Sequence, residues 1–143
     1  SMGKYVAVST IKELIKKGKT VKGSKVLLLG LTFKENISDI RNTKVVDILN
    51  ELADYEVQTC VHDPLAYKDE VKKQLNIDLI ADINDYQPYD AIILAVPHTF
   101  YVDSLDFDKL RTLSAGNEPI LVDVKGIYSK EEAHKMAFSY WRL

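Results

Sequence analysis

The sequence predicts an α/β domain of three layers, a mostly parallel sheet with helices on both faces, and two patterns carry that expectation. The residues over 26–29, 91–96 and 120–122 form short continuous apolar runs, the composition of strands buried on both sides. Segments with apolar residues at helical spacing alternate with these runs, and such alternation implies right-handed crossovers between parallel strands. Size sets the third bound. A chain of 143 residues is one compact domain at roughly 150 residues per domain.

Each element can be justified in turn. Tyr5, Val8, Ile11, Leu14 and Ile15 recur at helical spacing, Gly18 offers a C-cap, and Ser1-Met2 reads as a cut end. A basic turn, 19–25, leads into the first strand at 26–29. From Thr43 to about Asp54, the residues Val45, Val46, Leu49, Leu52 and Ala53 share one helical face, with Asn42 or Thr43 as N-cap. The alternation repeats as strand 57–62, helix 67–75, strand 91–96, helix 105–113 and strand 120–123. Ser129 followed by Glu132 is a capping-box pattern opening a helix over 129–136, and 138–143 reads as an edge strand or tail. The stretch 77–89 carries no decisive period.

Nineteen Lys plus Arg against 21 Asp plus Glu give a net charge of -2, so neither nucleic acid nor an anionic membrane is an expected partner. Any bound anion must be held by a local cluster. No apolar run approaches the roughly 20 residues of a membrane span and no signal-peptide pattern opens the chain, so a cytoplasmic protein is expected. The single cysteine, Cys60, has no internal disulfide partner.

Ligands of open parallel sheets bind outside the carboxyl ends of the strands. After the first strand comes a long polar segment, 30–43, delivering Lys34 and Arg41 just before a helix N-terminus. His62-Asp63-Pro64, Pro97-His98-Thr99-Phe100 and Asp123-Val124-Lys125-Gly126 follow the next three strands. Lys34, Arg41 and Lys125 are therefore expected on one rim beside free helix amides, which suits a phosphate-bearing ligand.

Rival chemistries fit less well. Leu31, Thr32 and Phe33 after Gly30 break the Gly-x-Gly-x-x-Gly spacing that brings backbone to a dinucleotide pyrophosphate. Cys60 and His62 alternate onto one strand face with His98 nearby, yet no pair has a recognised metal-ligand spacing, and a lone strand Cys acts as a small buried hydrophobe. Asp63 before Pro64 reads as a turn former, and His134 as a solvated helix residue.

The segment Gly30 to Thr43, G-L-T-F-K-E-N-I-S-D-I-R-N-T, resembles the C-terminal domain signature of the UDP-glucose/GDP-mannose dehydrogenase family. The resemblance continues through His62-Asp63-Pro64, Tyr89-Asp90-Ala91-Ile92-Ile93-Leu94-Ala95 with His98 beyond, and Asp123-Val124-Lys125-Gly126. Its wording is most similar to the branch acting on UDP-N-acetylhexosamines. It implies a Rossmann-like C-terminal domain over 23–143, preceded by a connecting helix, 1–22, from a missing central domain. Members of the family use NAD to oxidise a nucleotide-sugar primary alcohol to a uronate for polysaccharide biosynthesis.

In such enzymes an N-terminal domain holds NAD, and a central domain carries the catalytic Cys in Gly-Gly-x-Cys and forms the homodimer. The C-terminal domain closes over the sugar nucleotide. By the resemblance, Phe33 and Lys34 contact the UDP-sugar, Arg41 reaches across the cleft to NAD, and Lys125 stands where many relatives place a substrate-binding Arg. Cys60 in Thr59-Cys60-Val61 does not match the catalytic motif. The chain is thus expected to be the substrate-binding third of a dehydrogenase and inactive alone. The contrasting expectation is a free-standing, non-catalytic nucleotide-binding or regulatory module.

Overall fold

The computed structural model describes residues 1–143. It contains α1 (Met2–Lys16), β1 (Lys25–Leu29), α2 (Val45–Asp54), β2 (Gln58–His62), α3 (Lys68–Leu75), β3 (Ala91–Leu94), α4 (Thr99–Ser104), α5 (Phe107–Leu113), β4 (Ile120–Asp123), α6 (Lys130–Lys135) and β5 (Ser139–Arg142). The five strands form one parallel sheet in the order β2-β1-β3-β4-β5. The order reverses direction between β1 and β3, which makes their carboxyl ends the switch point of the sheet.

The apolar runs divide between two cores. In β1, Val26 and Leu28 join the larger cluster with Val6, Ala7, Ile11 and Leu14 of α1 and Ile48 and Leu52 of α2. Leu27 and Leu29 face the opposite side, against Tyr101 of α4, Leu110 and Leu113 of α5 and Ala133 of α6. Successive strand side chains point to opposite faces, so a strand covered on both sides must be apolar at every position.

Residues 1–22, set apart by the sequence as a connecting helix, thus contribute to the same core as 23–143. The buried stripe of α1 keeps Ile11 and Leu14 of the expected face and adds Val6, Ala7 and Thr10, while Tyr5 and Ile15 are exposed. Gly3 explains how close this helix comes: a Cβ there would stand 2.6 Å from the Asp47 Cβ of α2. At the other end of the chain, Tyr5 meets Trp141 edge to face with ring centroids 5.7 Å apart.

Several boundaries differ from the sequence expectation for physical reasons. The expected strand over 91–96 stops at Leu94, because the Leu29 carbonyl there accepts from both the Ala95 and Val96 amides while Gly30 N–H donates to His62 O. The two central strands therefore part just where the cleft begins. The helix expected over 105–113 is α5 and starts two residues later, at Phe107, because Asp106 caps it by accepting from Lys109 N–H. Residues 99–104, to which the sequence reading assigned no element, form the short helix α4. No helix is long and apolar enough to cross a membrane.

Candidate functional site

The long connection from β1 to α2, residues 30–44, forms one wall of a cleft of about 220 Å³ at the switch point. Phe33 and Lys34 line it from this connection, Val45 and Ile48 from α2, Val96 from just beyond β3, and Lys125 from the turn after β4. Gly30 makes the junction possible. Its φ is +94° and a Cβ would stand 2.5 Å from Val96 Cβ, so only glycine lets β1 turn away this close to β3.

The cleft is cationic within a molecule of net charge -2. Lys34, Lys44 and Lys125 line it against one acid, Glu35. Lys44 escaped the sequence reading, although it directly follows the segment singled out and occupies the N-cap of α2. The cap makes no side-chain hydrogen bond to the helix, and Thr43 Oγ1 instead accepts from Val45 N–H at 3.2 Å. Thr43, Lys44 and Val45 line the cleft, so the N-terminus of α2, with Asp47 in its first turn, borders it. Phe33 is half exposed at the rim, a flat apolar surface beside the cations.

Arg41 is not brought to this cleft with the lysines. Its guanidinium makes two hydrogen bonds to Asp39, at 2.9 and 3.1 Å, and is well exposed. This contact holds the Asp39 carboxyl below its ordinary range. The residues directly after Gly30, Leu31 and Thr32, are buried, and Val96 packs against Gly30.

A buried polar cluster supports the wall. Asp63 Oδ2 accepts from Leu31 N–H at 2.7 Å and Thr32 N–H at 3.1 Å, while Oδ1 accepts from Leu65 and Ala66 N–H. His98 lies beside it, with Nε2 2.9 Å from Asp63 Oδ2. Burial pushes the Asp63 pKa up, but hydrogen bonds from His98, Leu31 and Leu65 outweigh it and leave the carboxyl below its ordinary value. His62 is buried one strand away against Tyr101. Tyr101 donates its hydroxyl proton to His62 O, so His62 Nδ1 is the donor in their 2.7 Å contact. Burial lowers the His62 pKa, against the opposing pull of Asp63 and Asp82. Cys60, half-buried against the second core, has its thiol pushed up by burial, the reverse of an activated nucleophile.

Comparison with known proteins gives this geometry its context. The profile described as UDP-glucose/GDP-mannose dehydrogenase family, UDP binding domain, matches residues 27–130. Protein CapL of Staphylococcus aureus is 42% identical over the whole chain, which covers 32% of that protein. A UDP-N-acetyl-D-glucosamine 6-dehydrogenase of Salmonella typhi is 37% identical over 93% of the chain, which covers 31% of it. The chain thus spans about a third of the length of these curated relatives. In fold it matches an NDP-N-acetyl-D-galactosaminuronic acid dehydrogenase from Methanosarcina mazei (TM-score 0.86, 24% identity, 98% of this chain and 28% of that one). It also matches the UDP-N-acetyl-mannosamine dehydrogenase Cap5O of S. aureus (TM-score 0.68, 21% identity, 98% of this chain and 29% of that one).

Proposed function

Because the chain belongs to the UDP-glucose/GDP-mannose dehydrogenase family, we propose that it is the sugar-nucleotide-binding part of an NAD-dependent UDP-N-acetylhexosamine 6-dehydrogenase serving polysaccharide biosynthesis. The observation that carries this reading is the cleft at the switch point, where Lys34, Lys44 and Lys125 surround the N-terminus of α2 beside the exposed ring of Phe33. Three cations and a helix N-terminus suit a diphosphate. An exposed aromatic ring suits the face of a base.

In this reading Phe33, Lys34 and Lys125 bind the UDP-sugar. Lys125 offers a point charge where a guanidinium would form a two-bond fork, so it serves a phosphate by attraction more than by geometry. Arg41, paired with Asp39 outside the cleft, would turn toward NAD held by another domain. NAD would supply the oxidising power there, and this chain's residues bind and orient the substrate. The nucleophilic cysteine and the main NAD site belong to the N-terminal and central domains of the whole enzyme, for which 1–22 would form the connection. Alone, residues 1–143 would bind without turnover. The whole enzyme would act in the cytoplasm as a homodimer.

Titrating the chain with UDP, with uridine as the control lacking phosphate, tests the site. Replacing Lys34→Ala should weaken UDP about tenfold to a hundredfold, the worth of a charge-assisted hydrogen bond, and leave uridine unchanged. Unchanged UDP affinity would remove Lys34 from the site.

A further inference from the structure

We propose that His98 is the positioning residue of the cleft, fixing the segment that carries Phe33 and Lys34 by holding both of its ends with one imidazole. The inference rests on the reading of the cleft as a diphosphate site and names what keeps that site in shape.

At the near end, His98 Nε2 lies 2.9 Å from Asp63 Oδ2 and 3.2 Å from Thr32 Oγ1, while Asp63 holds the Leu31 and Thr32 amides. At the far end, Asn36 N–H donates to His98 Nδ1 at 2.9 Å. That bond fixes the tautomer. Nδ1 must be the acceptor, so Nε2 carries the proton and donates to Asp63. Asn36 has φ +64° and clasps Thr99 twice, its Nδ2 donating to Thr99 Oγ1 and its Oδ1 accepting from Thr99 N–H.

Only Phe33, Lys34 and Glu35 lie between these anchors, and all three are exposed in the cleft wall. Within the span, Thr32 Oγ1 donates to Lys34 O and Phe33 N–H donates to Asp39 O. His98 itself is fully buried and does not line the cleft. It therefore acts on a ligand through Lys34 and Phe33 and not by contact. An apolar side chain in its place leaves the Asn36 amide and one Asp63 acceptor site without partners.

The test combines His98→Ala, His98→Asn and Lys34→Ala in the 15N-labelled chain, titrated with UDP. His98→Asn puts an amide oxygen near the Nδ1 position, where it can accept from Asn36. If the proposal holds, His98→Ala weakens UDP about tenfold and speeds hydrogen exchange at the amides of 33–36, while His98→Asn restores most of both. The double variant His98→Ala with Lys34→Ala weakens UDP by less than the two single losses combined, because part of the His98 loss runs through Lys34. In the unsubstituted chain, a 15N–15N coupling across the hydrogen bond joins Asn36 N to His98 Nδ1.

Additive losses in the double variant, or a His98→Ala variant that binds UDP as tightly as the unsubstituted chain, would overturn the proposal. Should His98→Ala fail to fold, His98→Gln, which can keep a donor toward Asp63 and lose the acceptor for Asn36, takes its place with the same expectations. If the unsubstituted chain fails to bind UDP, the reading of the cleft falls and this proposal with it. That outcome is distinct from a cleft that binds UDP without regard to His98.

Discussion

Asp63 accepts from the amides of Leu31, Thr32, Leu65 and Ala66 and from His98, so each of its oxygens organises a different stretch of backbone. The turn-forming role of Oδ1 was legible in Asp63-Pro64. The role of Oδ2 was not, since it serves residues more than thirty positions earlier that only the sheet brings near. The same holds for His98, whose ring partners come from two separate segments, the connection after β1 and the turn after β2. Lys34 and Lys125 were legible as cleft residues because they directly follow strands. Arg41 was expected beside them on the same logic, but the guanidinium is taken by Asp39, only two residues away.

His62 gives this scale a pH dependence. Its folded pKa lies below the ordinary 6.5, so below that value the unfolded chain takes up a proton that the folded chain resists. Its contribution to stability is therefore present above pH 6.5 and lost as pH falls through the lower folded value. Thermal melts between about pH 7 and 5 should show a falling Tm in the unsubstituted chain and a shallower slope in His62→Asn, whose amide can still donate to Tyr101. Identical slopes would show that His62 does not drive the change. Asp63 adds its own loss only below its ordinary 3.8, outside that window.

Among the elements, the inner strands β1, β3 and β4 were read well because two-sided burial leaves a largely apolar run, and α6 because Ser129 accepts from Glu132 N–H as its capping pattern implies. The helix α4 was missed. Its six residues are too few to show a period, and Phe100-Tyr101-Val102 has strand-like composition. The overrun of β3 has a single cause in the parting of the strands at Gly30, a matter of backbone direction that side-chain hydropathy does not record.

Glycine substitutions can measure that parting. Gly30 and Gly116 both have positive φ, but a Cβ at Gly116 meets nothing within 4 Å whereas one at Gly30 collides with Val96. Gly116→Ala should cost about 1 kcal/mol of backbone strain. Gly30→Ala should cost at least about 2 kcal/mol more, the cost of an overpacked contact, in denaturant unfolding. Equal losses would mean that β1 and β3 can separate freely at this point.

Taken whole, the molecule is mildly acidic with a cationic cleft, so the diphosphate binding proposed for it would be a local property that overall charge does not foretell. The family resemblance was legible across nearly the whole chain because the motifs cluster at strand ends, where the sheet gathers residues far apart in sequence. In the enzyme proposed above, oxidising a primary alcohol to a carboxylate would remove four electrons. The proposed function therefore predicts two NADH formed per UDP-sugar, measured by absorbance against limiting substrate. One NADH per sugar would leave the product an aldehyde and refute the assignment.

Every strand pair in this sheet is parallel, and that has a kinetic side. No two neighbours are joined by a hairpin: Val26 pairs with Thr59 on one side and with Ala91 on the other. Closing such long loops precedes any reward from pairing, which places folding in the slower range of single domains. The walls of the cleft come from the ends of β1 and β3, with Met2 and Leu143 also lining it, so segments from the whole length of the chain must meet before it exists. Binding competence is thus a late acquisition of the folding chain, and a ligand of the cleft recognises only molecules that have finished.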